Sequence, residues 1–120
     1  MNVTGLWWHD RASIRQAHAY GLERIFSAST LTVDDLRVKK LSDDIAIVHA
    51  AMTLSGQTAI AAIKQLRARK TIFSFVVHKV AGGWTCASAH NTDAVPNMET
   101  NVIGEDGTVR AVNYRTVQMT

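Results

Sequence analysis

The hydrophobic and polar positions of this chain follow two different periods, and the change falls near residue 30. Before that point an apolar stripe repeats every three or four residues, and it consists of Ile14, His18, Leu22, Ile25 and Phe26. This spacing places side chains on one face of a helix. We therefore predict a helix over residues 10–29. Asp10 is its expected N-cap, because its carboxylate can accept from the free N–H groups of the first turn.

After residue 30 the chain reads as strands joined by turns. Residues 45–54 and 69–80 are rich in β-branched and apolar side chains, and residues 84–92 follow the short connection Ala81-Gly82-Gly83. The last two runs predict a hairpin. The unbroken apolar character of 45–54 favours a strand covered, at least in part, on both faces. Residues 58–65 are alanine-rich, as a short helix would be, whereas the family resemblance described below suggests a loop or strand end.

The element order predicts an α+β domain. Pro96, the only proline, is expected to end the strand before it, and residues 102–103 and 108–112 suit a small extra hairpin. We predict one domain over residues 1–120, with a core at 1–92 and a C-terminal extension at 93–120. The N-terminal helix would cover the apolar side of a curved antiparallel sheet, and a ligand cavity can remain between the two.

Composition narrows the class of protein. Hydrophobic residues make up 47% of the 120 residues and charged residues 19%, which suits a compact core. No apolar run reaches the length of a membrane span, so we expect no membrane partner. The single cysteine, Cys86, excludes an intrachain disulfide and favours a reducing compartment, so we expect a cytoplasmic protein.

The charge gives little support to nucleic-acid binding. The net charge is only +3, and the densest basic stretch, made of Lys64, Arg67, Arg69 and Lys70, leads into an apolar run. Single-strand binders usually set aromatic side chains among such charges. We therefore expect no nucleic-acid partner.

Three segments carry a resemblance to a known family. They read IAIVHAAMTL at 45–54, RKTIFSFVVHK at 69–79 and GGWTCASAHNT at 82–92. They resemble the SnoaL-like branch of the nuclear-transport-factor-2-like superfamily, in particular its SgcJ/EcaC type, and the resemblance extends over residues 3–92. It implies a cone-like half barrel of curved antiparallel sheet, also described as a cystatin-like roll. It further implies an apolar pocket and a homodimer formed through the sheet, with no cofactor and no metal.

The resemblance also leads to an expectation about the N-terminus. Members of this family usually have one or two further helices before the tryptophan-bearing segment at Trp7 and Trp8. We therefore expect this chain to be a truncated form, with an incompletely covered concave face and exposed apolar area.

His18 is the strongest candidate for chemistry. It lies within the apolar stripe of the predicted helix, and a half-buried imidazole can move a proton near neutral pH. The alternative is a core histidine that is hydrogen-bonded to the backbone.

Other candidate ligand-binding residues lie on the predicted strands. Arg69 and Thr71 share one face of a strand and resemble a recurrent pair of the family, so that an inward arginine would hold a carboxylate or enolate-like oxygen. Of His90 and Asn91, only one can face the cavity, because neighbouring strand residues point to opposite sides. His49 would face either the pocket or a dimer partner. The alternatives for these residues are surface ion pairs and interface hydrogen bonds.

The tryptophans and the acidic residues complete the expected site. Trp7 and Trp8 alternate in direction, so one of them, taken here as Trp7, would be a pocket wall. The acidic residues fall mainly at predicted turns and in the C-terminal extension, Asp34, Asp35 and Asp93 among them, so no carboxylate is expected inside a strand. This disfavours carboxylate-driven catalysis.

Motifs for other chemistry are missing from the sequence. The five histidines show no HxH or HExxH spacing, so we expect no metal site. The resulting expectation is a domain that binds a hydrophobic small molecule, with acid/base chemistry of the isomerase, cyclase or dehydratase type on a carbonyl compound as one option. The alternative is a non-catalytic ligand-binding or dimerisation module.

Overall fold

The computed structural model describes residues 1–60, 63 and 65–120. Within these ranges one helix precedes six strands, which confirms the α+β class. They are α1 (Arg11–Glu23), β1 (Thr30–Lys40), β2 (Ile45–Ser55), β3 (Arg69–Val80), β4 (Gly83–Asp93), β5 (Thr100–Ile103) and β6 (Val109–Val112). Strands β1 to β4 form a curved antiparallel sheet in the order β1-β2-β3-β4, and β5 pairs with β6 in the small hairpin predicted for the C-terminal extension. The alternatives for 58–65 lie partly outside the described residues.

Helix α1 begins as predicted and ends earlier. Asp10 has extended backbone angles and its Oδ1 accepts from the N–H of Ser13 at 2.7 Å, so the predicted N-cap is confirmed. The helix ends at Glu23 because the N–H groups of Arg24 and Phe26 both turn back to the carbonyl of Gly21, at 3.2 and 3.0 Å. A Cβ on Gly21 would lie 3.2 Å from the ring of Phe26. Glycine therefore allows this ring to fold over the last turn.

Acidification is expected to weaken the cap of α1. Hydrogen bonding to the backbone N–H of Ser13 holds the pKa of Asp10 below its ordinary value of 3.8. The cap therefore contributes fully to helix stability above the pKa that an aspartate has in the unfolded chain, about 3.9. This contribution is lost as the pH falls through the lower pKa of Asp10 in the folded chain. The variant Asp10→Asn retains an uncharged acceptor, so its helical circular dichroism should change less than that of the natural chain between about pH 5 and pH 2. Equal losses in the two proteins would contradict this.

The sheet has an apolar face and a polar face. Leu36 of β1, Ala50 of β2 and Phe73 of β3 are in register on the apolar face, next to Asn91 of β4. The residue next to each of these in the sequence lies on the polar face. Together these neighbours form a row across the sheet, which consists of Arg37, His49, Ser74 and His90. Side chains alternate between the two faces along every strand.

Two bulges adjust this alternation. The register of β1 shifts between Val33 and Asp35. An extra residue at this point keeps four apolar side chains, spaced two, three and two residues apart, on the apolar face; they are Leu31, Val33, Leu36 and Val38. A second shift, between Val76 and Val77 of β3, leaves Ala87 of β4 without a register partner.

Burial is confined to the apolar face. Among the described residues, the buried side chains are Ala46, Ala50, Leu54 and Thr71. Most polar-face residues of β2 are half-buried, which agrees with the prediction that both faces of this strand are covered at least in part. None of the residues of α1 is buried, and its stripe residues Ile14 and Leu22 are 41% and 58% exposed. The burial predicted for this stripe is therefore wrong in the isolated chain.

Candidate functional site

A cleft of about 520 Å³ lies where the segment after α1 approaches the start of β3 and the end of β4. Its lining combines aliphatic and aromatic side chains with polar and charged ones. The apolar part consists of Ile25, Phe26, Leu66, Ala68, Ala94, Val95 and Pro96, and the polar part of Gln57, Arg67, Arg69, Lys70 and Asp93. Ligand sites typically have this composition of apolar walls with a few convergent polar groups.

The strand register brings Arg69 and Asp93, which carry opposite charges, next to each other in the cleft. Arg69 is the first residue of β3, Asp93 is the last residue of β4, and Thr71 is the register partner of Asp93. Arg69 Nε lies 3.2 Å from Asp93 Oδ1, and each side chain is about one-third exposed. The ion pair is therefore partly shielded from water while the cleft keeps access to it.

The wall of the cleft that includes Ile25 and Gln57 is held by backbone contacts. The N–H of Thr58 donates to the carbonyl of Ile25 at 2.7 Å, which ties the chain after β2 to the segment after α1. Gly56 makes the turn between them with a φ of 75°, a conformation that favours glycine. A Cβ there would also lie 3.0 Å from the carbonyl oxygen of Ala28. This turn brings Gln57 to the cleft.

Three buried polar atoms of the cleft have no hydrogen-bond partner among the described residues. They are Gln57 Oε1, Arg69 Nε and Asp93 Oδ1. Although Arg69 Nε and Asp93 Oδ1 are close, the N–H is not directed at the oxygen, so their contact is electrostatic. An unsatisfied buried polar atom costs about 1–3 kcal/mol. One unpaired donor and two unpaired acceptors are therefore buried among the residues that line the cleft.

Thr71 and Asn91 lie on the same face as Arg69. The hydroxyl of Thr71 donates to the carbonyl of Thr92 at 2.8 Å, and Asn91 Nδ2 lies 3.5 Å from the same hydroxyl. Thr71 is 3% exposed, so its hydroxyl is used within the sheet. The prediction that Arg69 and Thr71 share a face is confirmed, and Asn91 is the residue that shares it.

His49 and His90 lie on the polar face, away from the cleft. His49 Nδ1 is 2.9 Å from the hydroxyl of Ser74, and Ser74 is the register partner of both histidines. The sheet therefore divides the predicted ligand-binding residues into two groups. Of His90 and Asn91, Asn91 lies on the side of the cleft because of the β4 bulge, and the register of β2 places His49 on the other side of the sheet.

His18 and Trp7 are both exposed. The Nδ1 atom of His18 donates to the carbonyl of Ile14 at 2.7 Å, and its ring is tilted against Trp8 at 5.6 Å. Trp7 is 63% exposed and contacts the ring of His9. Neither residue lines the cleft. The expected half-buried position of His18 and the expected wall position of Trp7 are wrong in this structure.

Asp93 and Gln57 are polar residues of the cleft that the sequence pattern did not predict. Asp34 and Asp35 lie inside β1, so the prediction that no strand core carries a carboxylate is wrong, whereas Asp93 is the last residue of β4. Thr53 donates to Asp34 at 2.6 Å. A signal was available for Asp93, because it follows Asn91 by two residues and alternation places both on one face.

Across residues 1–60, 63 and 65–120, no three His, Cys, Asp or Glu side chains are close enough to share a metal ion. In the same part of the chain, no helix has the length and hydropathy needed to cross a membrane.

Comparison with known proteins identifies the fold. No protein-family model matches the sequence, and no curated protein matches it. A solved structure, that of an uncharacterised protein with a cystatin-like fold from Caulobacter vibrioides, superimposes with a TM-score of 0.70. The two sequences are 20% identical, and the match covers 80% of this chain and 67% of the other. The chain therefore has a cystatin-like α+β fold, which is related to that of the nuclear-transport-factor-2-like proteins.

Proposed function

We propose that this chain is a small-molecule-binding domain of the SnoaL-like, nuclear-transport-factor-2-like kind, and that its ligand occupies the cleft at Arg69 and Asp93. The observation that carries the proposal is the group of three unsatisfied polar atoms among apolar walls. A carbonyl or carboxylate oxygen of a bound molecule would give the N–H of Arg69 Nε the acceptor that it lacks. The sequence resemblance and the related fold support the same class of protein.

The charged side chains that line the cleft favour one chemical class of ligand. Among the described residues that line it, Arg67, Arg69 and Lys70 are basic and Asp93 is acidic. The Arg69 guanidinium is a strong donor for carboxylate or carbonyl oxygens, and the aliphatic walls suit a hydrophobic body. The preferred ligand is therefore a hydrophobic carbonyl or carboxylate compound.

A titration followed by amide NMR tests the proposal. The probes are naphthalene-2-carboxylate and its neutral analogue naphthalene-2-methanol, which differ in the charged oxygen group and share the apolar body. We expect the carboxylate to bind more tightly and to shift signals of residues 25–26, 57 and 93–95. Equal binding of the two probes, or shifts centred on the polar face at His49 and Ser74, would refute the site.

Acid/base catalysis is the second candidate function, and the position of Asp93 favours it. Its carboxylate can take a proton from a carbon next to a carbonyl held by Arg69. The electron pair of the broken C–H bond then moves to the carbonyl oxygen, where the guanidinium stabilises the charge. Exchange of the methyl protons of 2-acetylnaphthalene in D₂O, catalysed by the natural chain and lost in Asp93→Asn, would establish it. Equal exchange in both proteins would leave the chain a binding domain.

A further inference from the structure

A second arginine, Arg67, lines the cleft beside Arg69. Residues 66–69 follow one another along the lining. Two residues of fully extended chain span at most about 7 Å, so the Cα atoms of Arg67 and Arg69 are no further apart than this. Because both residues line the same cleft, one bound molecule of modest size can contact both.

The two arginines have different surroundings. Arg69 is paired with Asp93 and is about one-third exposed. Arg67 is exposed, and within residues 1–60, 63 and 65–120 no carboxylate forms an ion pair with it. These ranges contain all 10 Asp and Glu residues of the chain. The charge of Arg67 is therefore not neutralised by the chain itself.

These surroundings favour different oxygen groups at the two positions. A carboxylate at Arg69 would lie next to the negative charge of Asp93 and would lose part of its hydration, and both effects oppose its binding there. A ketone oxygen accepts the same hydrogen bond and carries no charge. At Arg67 a carboxylate stays in contact with water and meets an unpaired cation, so this position suits the charged group.

The charges of the cleft balance for a ligand with one negative charge. Arg67 and Arg69 carry two positive charges against one negative charge on Asp93, and a single carboxylate neutralises the remainder. Lys70 also contributes to the lining, but it is in register with Thr53, so its side chain lies on the polar face of the sheet.

We propose that Arg67 is a binding residue of the cleft and that the ligand is a hydrophobic keto acid. Its ketone oxygen accepts a hydrogen bond from Arg69, and its carboxylate pairs with Arg67. This assignment rests on the proposed function, because the ligand occupies the same cleft and the apolar walls hold its hydrophobic body. It narrows the ligand to a compound that carries both oxygen groups.

Isothermal titration calorimetry of the natural chain with three naphthyl compounds tests the assignment. The compound 3-(2-naphthoyl)propionate carries both groups, 4-(2-naphthyl)butanoate lacks the ketone, and 2-acetylnaphthalene lacks the carboxylate. We expect the keto acid to bind about tenfold more tightly than either of the others, because each of them loses one partly exposed charged hydrogen bond. Equal affinities for the keto acid and the butanoate would overturn the proposal.

Two matched variants test the role of Arg67. Arg67→Gln should weaken binding of the keto acid about tenfold and that of 2-acetylnaphthalene less than about twofold. Arg15→Gln removes the same charge from an exposed position of α1 outside the cleft, so it should change both affinities less than about twofold. If Arg67→Gln weakens the two compounds equally, Arg67 does not hold the carboxylate and the proposal is wrong.

Failure of this assignment is distinguishable from failure of the proposed function. Suppose that the keto acid binds no more tightly than the butanoate, while naphthalene-2-carboxylate still shifts the amide signals of residues 25–26, 57 and 93–95. In that case only the keto acid assignment fails. If none of these compounds shifts those signals, the proposed function fails and the assignment fails with it.

Discussion

Replacing Ala50 by Gln is expected to lower the free energy of unfolding by about 3 kcal/mol, because it adds both volume and an unpaired amide to a filled position. Ala50 is 1% exposed in the middle of β2, in register with Leu36 and Phe73. No other strand position on the apolar face is so fully enclosed. A loss of this size is a large part of the 5–15 kcal/mol of a typical domain.

The neighbouring alanine provides the control. Ala51 lies on the polar face of the same strand and is half-buried, so Ala51→Gln lets the amide reach water and should cost less than about 1 kcal/mol. Urea unfolding followed by circular dichroism, at one fixed protein concentration, measures both variants. If Ala50→Gln and Ala51→Gln have the same urea midpoint, Ala50 does not lie at an enclosed position on the apolar face.

Replacing Arg69 by Met is expected to weaken binding of naphthalene-2-carboxylate about tenfold, which is the lower end of what a charged hydrogen bond contributes, because the guanidinium is partly exposed. Methionine retains most of the apolar stem, so the affinity for naphthalene-2-methanol should change less than about twofold. The matched control is Arg37→Met. Arg37 also lies 3.2 Å from an aspartate, Asp35, but on the polar face.

Asp93→Asn should act in the opposite direction. Its carboxylate competes with an anionic ligand for Arg69, so its removal should tighten carboxylate binding about threefold, in keeping with the small energy of a partly exposed ion pair. In the Arg69→Met background the same change should have no effect on this affinity. Isothermal titration calorimetry of the four proteins completes the cycle. An Asp93→Asn effect that persists without Arg69 would show that the two residues do not share the ligand.

Local signals in the sequence were sufficient for several elements. The cap at Asp10, the bounds of β3 and the hairpin at Gly82-Gly83 were predicted correctly. Each depends on side chains within a few residues: a carboxylate beside free N–H groups, a run of β-branched residues, and glycines with positive φ. The predicted end of α1 was wrong because the return of Phe26 to Gly21 is a contact that helical periodicity does not encode.

The candidate site depended on information that the sequence pattern lacks. Strict alternation along β4 would place His90 on the same face as Trp84. The extra residue at Ala87 shifts the alternation by one position, so that Asn91 and Asp93 lie on that face. The exposure of His18, which differs from the prediction, has a related cause. The periodicity of a helix identifies its apolar stripe, whereas the depth of that stripe depends on how closely the helix approaches the sheet.

By itself, the sequence determined the α+β class, the strands of the hairpin and the pairing of Arg69 with Thr71 on one face, because each follows from local conformational preference and alternation. Tertiary structure alone decided that Arg69 meets Asp93, that His49 and His90 are separated from them by the sheet, and that the apolar face stays open. The physical reason is that register, bulges and burial depend on contacts between residues far apart in the chain, and a one-residue shift moves a side chain to the other face.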